Sequence, residues 1–383
     1  MTIWTKPASP TWRTGLGLRD AGVYYALLLL LIVLALVANA AGRPGYLSPA
    51  NLGNILYQAS LVGIMGVAMT VVLITGAFDL SVGSVAALAA AILVGLADGI
   101  GFVPAAGAAL ATAAAVGLLN GAIVNFLGIN AFIVTLGTLT AVRGLVLVLT
   151  DGRSLMVENG DTLARMLAFE SSRIPLFGAL LVVAALLAVR ACLAFIRARR
   201  VGPAIAALAV LLLALFLGRD FTVAPPVLYL AIVTTAAWFV LARTVTGRRL
   251  YAVGGNAEAA RLSGIDVRAY KIGAFVVSGL AAGFAGVLFG CRLGAVNPTA
   301  LQGSELTVIA AAILGGTSLF GGAGSVVKTV TGALILFTLT NGFNILNLGA
   351  NYQGMIEGIV VIAAAAIYTV GGRGPRRAAG AAL

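Results

Sequence analysis

The stretch from Thr246 to Lys271, TGRRLYAVGGNAEAARLSGIDVRAYK, is the longest polar interruption in the C-terminal half of the chain. Apolar runs long enough to cross a bilayer flank it on both sides. Its middle predicts a short helix: Asn256 can cap the N-terminus, Glu258 lies in the first turn, where the dipole favours a carboxylate, and Gly264 follows the last turn as a C′ residue. Arg248, Arg249, Arg261, Arg268 and Lys271 surround that helix, which places the segment on the cytoplasmic side of a membrane. A short capped helix held between two spans makes a handle for another protein. Charge alone does not prefer that reading to a solvated basic loop that merely orients its neighbours.

Composition agrees with a membrane setting. Of the 383 residues 61% are hydrophobic and 9% charged, with mean hydropathy +1.08, which excludes an ordinary soluble domain. The 49 glycines suit helices that approach closely within a bilayer. A net charge of +12 would suggest nucleic acid in a soluble protein. Here the basic residues fall in short loops, so orientation explains them and no nucleic-acid partner is expected. The two cysteines, Cys192 and Cys291, read as small buried residues without a disulfide or metal framework. No cleavable signal pattern opens the chain.

Twelve apolar runs of roughly spanning length follow in order, near 22–40, 55–76, 82–97, 104–127, 131–150, 174–196, 201–217, 226–243, 271–291, 305–325, 328–346 and 354–370. Alternation from a cytoplasmic N-terminus puts sixteen of the 24 Lys and Arg inside. They are Lys6, Arg13, Arg19, Arg197, Arg199, Arg200, the six from Arg243 to Lys271, Lys328, Arg373, Arg376 and Arg377. Six fall outside, and Arg143 and Arg190 lie within spans. The bias follows the positive-inside rule and makes both termini cytoplasmic. The expected organisation is a cytoplasmic tail (1–21), a transmembrane domain (22–371) and a second cytoplasmic tail (372–383). The domain contains an extra hairpin at 174–217, linked by the long outer loop Asp151–Arg173, and the cytoplasmic loop 244–270. The fold class is thus an all-α polytopic membrane protein of about 12 transmembrane helices, ten of them a core and two the hairpin.

An internal repeat organises that core. Ala89-Ala90-Ala91-Ile92-Leu93 recurs 221 positions later as Ala310-Ala311-Ala312-Ile313-Leu314. At the same offset Asn120-Gly121 matches Asn341-Gly342, Leu127-Gly128 matches Leu348-Gly349, and Asn130 matches Asn351. The copies begin at the third and tenth runs, an odd number of crossings apart, so they run in opposite directions. An inverted repeat is the mark of an alternating-access transporter with its pathway near the repeat interface; two duplicated structural helices would leave the same trace.

Polar groups inside spans are costly and face protein or water. Candidate pathway residues are Asn120, Asn125, Asn130, Asn341, Asn344 and Asn351, whose amides both donate and accept and so suit a neutral polyhydroxylated solute. Interhelical hydrogen bonding is the alternative for each. Arg143 lies mid-span, where insertion costs about 2.5–3.5 kcal/mol; it needs a carbonyl, a carboxylate or water, as a tether or as a ligand contact. Arg190 is near enough to a span end to snorkel. Asp79-Leu-Ser81-Val-Gly83-Ser84 breaks the chain before the third run, with Asp79 or Ser81 as a cap and Gly83 as the turn residue. Asp79 and Ser81 join the pathway candidates. The counterpart is Gln302-Gly303-Ser304-Glu305. Asp79, Glu305 and Glu357 lie at or near span ends, which weakens an ion-coupled carrier.

The chain has no histidine, and its three lysines, Lys6, Lys271 and Lys328, lie in no glycine-rich phosphate loop. It carries no nucleophile–base constellation, so an enzyme is not expected, nor a cofactor or metal; ATP would have to be bound by a partner.

At Glu258-Ala259-Ala260-Arg261-Leu262-Ser263-Gly264 the chain resembles the EAA-x3-G loop of ABC importer permeases. GGNAEAARLSGI, GAFDLSVGS, NAFIVTLGTLTAVRGL and LGGTSLFGGAGSV are similar to the ribose/xylose-type sugar permeases over about residues 50–160 and 240–370. The length and the hairpin at 174–217 resemble the longer, xylose-type branch. The I-x-L-P that follows many EAA loops is missing. The resemblance implies a permease homodimer in the bacterial inner membrane, docked on cytoplasmic ABC ATPase subunits and fed by a periplasmic sugar-binding protein. It places Asn256, Glu258, Ala259, Ala260, Arg261, Ser263 and Gly264 in the ATPase cleft. The implied activity is import of a monosaccharide, a pentose such as xylose. The alternatives are a stand-alone ion-coupled carrier for a small polar solute and a structural membrane anchor.

Overall fold

The structure, a computed structural model, describes residues 18–198 and 202–348 together with residues 355, 358, 359 and 362. Among them the helices are α1 (Leu18–Ala40), α2 (Pro49–Ile74), α3 (Val82–Ile100), α4 (Phe102–Phe126), α5 (Ala131–Leu149), α6 (Gly160–Ser171) and α7 (Phe177–Ala198). They continue with α8 (Gly202–Leu217), α9 (Pro225–Arg243), α10 (Val245–Gly255), α11 (Ala257–Leu262), α12 (Val267–Leu293), α13 (Ser304–Leu314) and α14 (Val326–Ile345). Two short antiparallel ladders join β1 (Leu155–Met156) to β4 (Ala295–Val296) and β2 (Ile174–Pro175) to β3 (Thr222–Val223). Among the described residues eight helices are long and apolar enough to cross a membrane: α1, α2, α3, α4, α5, α9, α12 and α14. Shorter apolar helices lie within α7, α8 and α13.

Each of the first eleven apolar runs carries one of these helices. The twelfth, with Glu357, falls outside the described residues except at four positions, and so do residues 1–17 and 372–383. Three expectations need correction. The run 305–325 is not one helix: α13 stops at Leu314, Gly316 turns at φ +77, and Gly321 and Gly322 also take positive φ. A Cβ at Gly315 would come within 2.6 Å of the Lys328 backbone, so glycine is needed for α14 to approach there. Eleven residues rise only about 16 Å, half of a hydrocarbon core of about 30 Å. The outer connection 151–173 holds a helix, α6, capped by Asn159, whose side chain accepts from the Thr162 amide at 3.0 Å. Finally, Cys291 is buried but Cys192 is exposed. The hairpin α7–α8 packs chiefly on itself, so much of α7 has no protein cover.

The repeat governs the packing. The helix equivalent to α2 at offset 221 is α12, and each copy's helix pair packs on the leading helix of the other: α3 and α4 on α12, α13 and α14 on α2. α2 and α12 also touch each other. α2 is therefore central, with 83% of its apolar window buried, whereas α1, which lies against α14, has 17% buried. Both alanine triplets are buried and lie in helices pressed against glycine. A Cβ at Gly286 of α12 would overlap Ala86 of α3, and one at Gly332 of α14 would overlap Ala311 of α13. Apolar helices gain little hydrophobic drive from leaving lipid for one another, so close backbone approach through small residues must hold them.

Candidate translocation pathway and coupling segment

The polar stretch folds as its cap residues dictate. Thr244 caps α10, its hydroxyl accepting from the Gly247 amide at 3.3 Å. Asn256, extended at φ −159, ends α10 and caps α11, with its side-chain oxygen accepting from the Ala259 amide at 3.0 Å. The Gly264 amide donates to Arg261 O at 2.9 Å and the Ile265 amide to Ala260 O at 3.0 Å. This is the paired closure of a helix ending on a left-handed residue, and Gly264 has φ +78. Ala260 is buried, while Glu258, Ala259, Arg261, Ser263 and Gly264 are exposed. Arg261 bridges both carboxylate oxygens of Glu258 at 2.8 Å.

The segment is braced from behind. Tyr251 donates to Gly324 O at 2.9 Å and the Gly322 amide to Ile74 O at 2.9 Å. A Cβ at Gly254 would overlap the Ile74 carbonyl. Burial pushes the Tyr251 phenol above its ordinary value, so the donor stays protonated. Leu262 is 81% exposed and Phe320, at the tip of the braced loop, 93%.

The break before α3 is a buried polar junction. The Asp79 carboxylate accepts from the Ser81 amide (3.0 Å), the Ser81 hydroxyl (2.6 Å) and the Ser278 hydroxyl on α12 (2.7 Å). The Asn120 amide donates to Ser81 Oγ at 3.0 Å, and its oxygen accepts from Thr138 of α5 at 2.6 Å. The structure thus joins Asp79, Ser81 and Asn120 through four elements. Ser81 is the N-cap of α3 but makes no side-chain cap bond. Gly83 is not the turn residue: it lies inside α3, and a Cβ there would collide with Glu305 and Ser304. Gly76, at φ +77, is the left-handed residue between α2 and α3. Close approach, not conformational freedom, explains Gly83, because the starts of α3 and α13 meet there.

The other candidates scatter. Asn341 exchanges amide hydrogen bonds with Asn51 of α2, both 3.0 Å, and Asn51 also donates to Tyr46 O at 2.8 Å. Asn125 donates to Gly121 O one turn back at 2.7 Å. Asn130 caps α5 by accepting from the Phe132 amide at 2.8 Å. Asn344 is exposed near the end of α14, and Asn351 lies outside the described residues. Arg143 donates to Ala300 O at 2.7 Å and lies within electrostatic reach of Glu305.

Sequence reasoning assigned no role to a cluster between α6, α2 and α12. Glu170, fully buried, accepts from Tyr57 (2.8 Å) and from Arg292 Nε (2.7 Å), and the guanidinium lies 4.0 Å from the Tyr57 ring centroid. Its only linear trace is an acid in an outer loop and an arginine just past a span.

A model of the family described as branched-chain amino acid transport system / permease component matches residues 51–365. The chain belongs to that family. This permease is 36% identical over 345 residues to the ribose import permease protein RbsC of Escherichia coli (strain K12), covering 88% of this chain and 91% of that one. It is 33% identical over 384 residues to the xylose transport system permease protein XylH of the same strain, covering 94% and 95%. It is 31% identical over 345 residues to the D-allose transport system permease protein AlsC, covering 90% of each. No solved structure matches the permease. Membership makes the chain a multi-pass protein of the bacterial inner membrane and a transporter subunit, not an enzyme. It favours an ABC importer over the ion-coupled carrier.

Proposed function

We propose that this permease forms the membrane path of an ATP-driven monosaccharide importer, and that a pentose is its cargo. The observation that carries the reading is the coupling segment: a short exposed helix, α11, capped at both ends, which follows α10, itself braced against α2 and the 315–325 loop through Gly254 and Tyr251. A rigid, solvent-facing helix of this kind can pass a push from a cytoplasmic ATPase into α2 and α12. In this reading Asn256, Glu258, Ala259, Ala260, Arg261, Ser263 and Gly264 form the ATPase contact. A periplasmic sugar-binding protein delivers the cargo, two copies of the chain enclose the route, and both termini are cytoplasmic. The relatives named for ribose and xylose support a pentose, and the hairpin α7–α8 supports the longer, xylose-type branch. Asp79, Ser81, Asn120 and Arg143 act as supports of the path, since their bonds close on neighbouring helices.

Glu258→Lys and Gly264→Val test the reading. The first removes a favourable first-turn carboxylate worth about 0.3–1 kcal/mol and reverses the charge presented to the partner. The second forces a β-branched residue to a positive φ with open space around it, so only the local backbone is strained. Both variants should insert normally yet lose co-purification of the ATPase or sugar-stimulated ATP hydrolysis. Wild-type values of both quantities in both variants would mean that this segment is not the handle.

A further inference from the structure

Between α2, α13 and α14 lies a polar cleft of about 370 Å³ lined by Gln302, Ser304, Thr307, Phe337 and Thr340. It reaches Val62, midway along α2, while Phe337 lies midway along α14. The opening is therefore near the middle of the membrane, where the short helix α13 begins against the start of α3. Broken helices that start at mid-membrane supply backbone and polar side chains where a solute must be desolvated, at the interface of inverted repeats.

The lining has the chemistry of a sugar contact. Gln302 offers an amide with two donors and an acceptor, and Thr307 a hydroxyl. The Ser304 hydroxyl donates to Leu301 O (2.6 Å), which leaves its oxygen as an acceptor. Phe337 supplies an apolar wall for the C–H face of a pyranose or furanose ring. By contrast, the larger groove of about 680 Å³ between α2, α9, α10 and α12 is walled by Val71, Val233, Leu241, Val277 and similar side chains, a lining for lipid tails. At 370 Å³ the polar cleft falls at the small end of the roughly 300–1,000 Å³ range of ligand sites, as a monosaccharide requires.

We propose that this cleft is the sugar-contacting segment of the route, a transit site for a neutral monosaccharide whose hydroxyls bond to Gln302, Thr307 and the Ser304 oxygen. The proposal rests on the importer reading above.

The test uses the full permease with its ATPase and binding protein in proteoliposomes, with labelled ribose and xylose as probes. Gln302→Leu and Thr307→Val should each lower uptake about two- to tenfold, the factor set by one lost hydrogen bond. Thr307→Ser, which keeps the hydroxyl, should restore it. In a Cys192→Ser, Cys291→Ser background, Gln302→Cys and Thr307→Cys should react with a charged, water-soluble thiol reagent and lose uptake. Leu306→Cys, beside the cleft on α13 but not lining it, should keep uptake after the same treatment. Uptake unchanged by either adduct, or reaction only with a lipid-soluble reagent, would overturn the cleft assignment while leaving the importer reading intact. Failure of the wild-type assembly to move either sugar would sink the importer reading itself, and the cleft assignment with it.

Discussion

In the first copy of the repeat, Asn120 is held by Ser81 and Thr138 within a junction that also binds Asp79 and Ser278. In the second copy, its equivalent Asn341 makes one reciprocal amide pair with Asn51. The sequence at offset 221 accounts for the difference. The α12 position equivalent to Asn51 is Ile272, the second-copy equivalent of Asp79 is Ala300, and that of Ser81 is Gln302. Without an amide on α12, Asn120 turns towards the break; without a carboxylate at 300, Gln302 is released to the surface of the cleft. The backbone packing of the copies is alike, but the polar locks are not. Asn120 is thus tied into a junction of four elements, whereas Asn341 links two.

Three measurements bear on this contrast. The largest effects should come from the shared packing. Gly286→Val and Gly332→Val both force side chains into neighbouring backbone, and overpacking costs about 1–3 kcal/mol or more. Both variants should lose most of the monodisperse protein recovered by size exclusion in detergent. If one is recovered at wild-type yield, the helix contacts of the two copies are not equivalent. A smaller and unequal effect is expected of the asparagines. Asn120→Leu should destabilise by about 1–2 kcal/mol and Asn341→Leu by about 0.6 kcal/mol, the spread measured for hydrogen bonds between membrane helices. Asn51 keeps its bond to Tyr46 O in the second variant. Equal shifts in thermal unfolding would erase the proposed asymmetry. The smallest response belongs to a pair outside both copies: Arg261→Ala removes an exposed i,i+3 bridge to Glu258 worth about 0.2–0.5 kcal/mol. A thermal shift as large as that of Asn120→Leu would mean that the segment contributes to the stability of the core.

The short helix α11 was legible because caps are local: Asn256, Glu258 and Gly264 fix its ends within nine residues. The repeat was legible because alanine triplets and Asn-Gly pairs recur without a gap. The length of α13 was not. Leu319 and Phe320 continue the apolar signal past Leu314, whereas the structure answers to the glycines at 315, 316, 321 and 322, three of which meet α14 or α10. Gly83 carried the usual mark of a turn, yet its reason is the approach of Ser304 and Glu305 from far along the chain. The Glu170–Arg292–Tyr57 cluster joins residues more than a hundred positions apart and has no periodicity to betray it.

The sequence alone determined that this chain lies in a membrane, that its core is built from two related halves, and that one polar segment is a capped, exposed helix. These follow from transfer free energy and from hydrogen bonds between residues a few positions apart. Only the tertiary structure decided which buried amides lock helices together, that α13 stops halfway, and that a polar cleft opens beside it. Those outcomes depend on which backbone a glycine admits and which distant donor reaches a buried acceptor, and both are set by packing across the two copies.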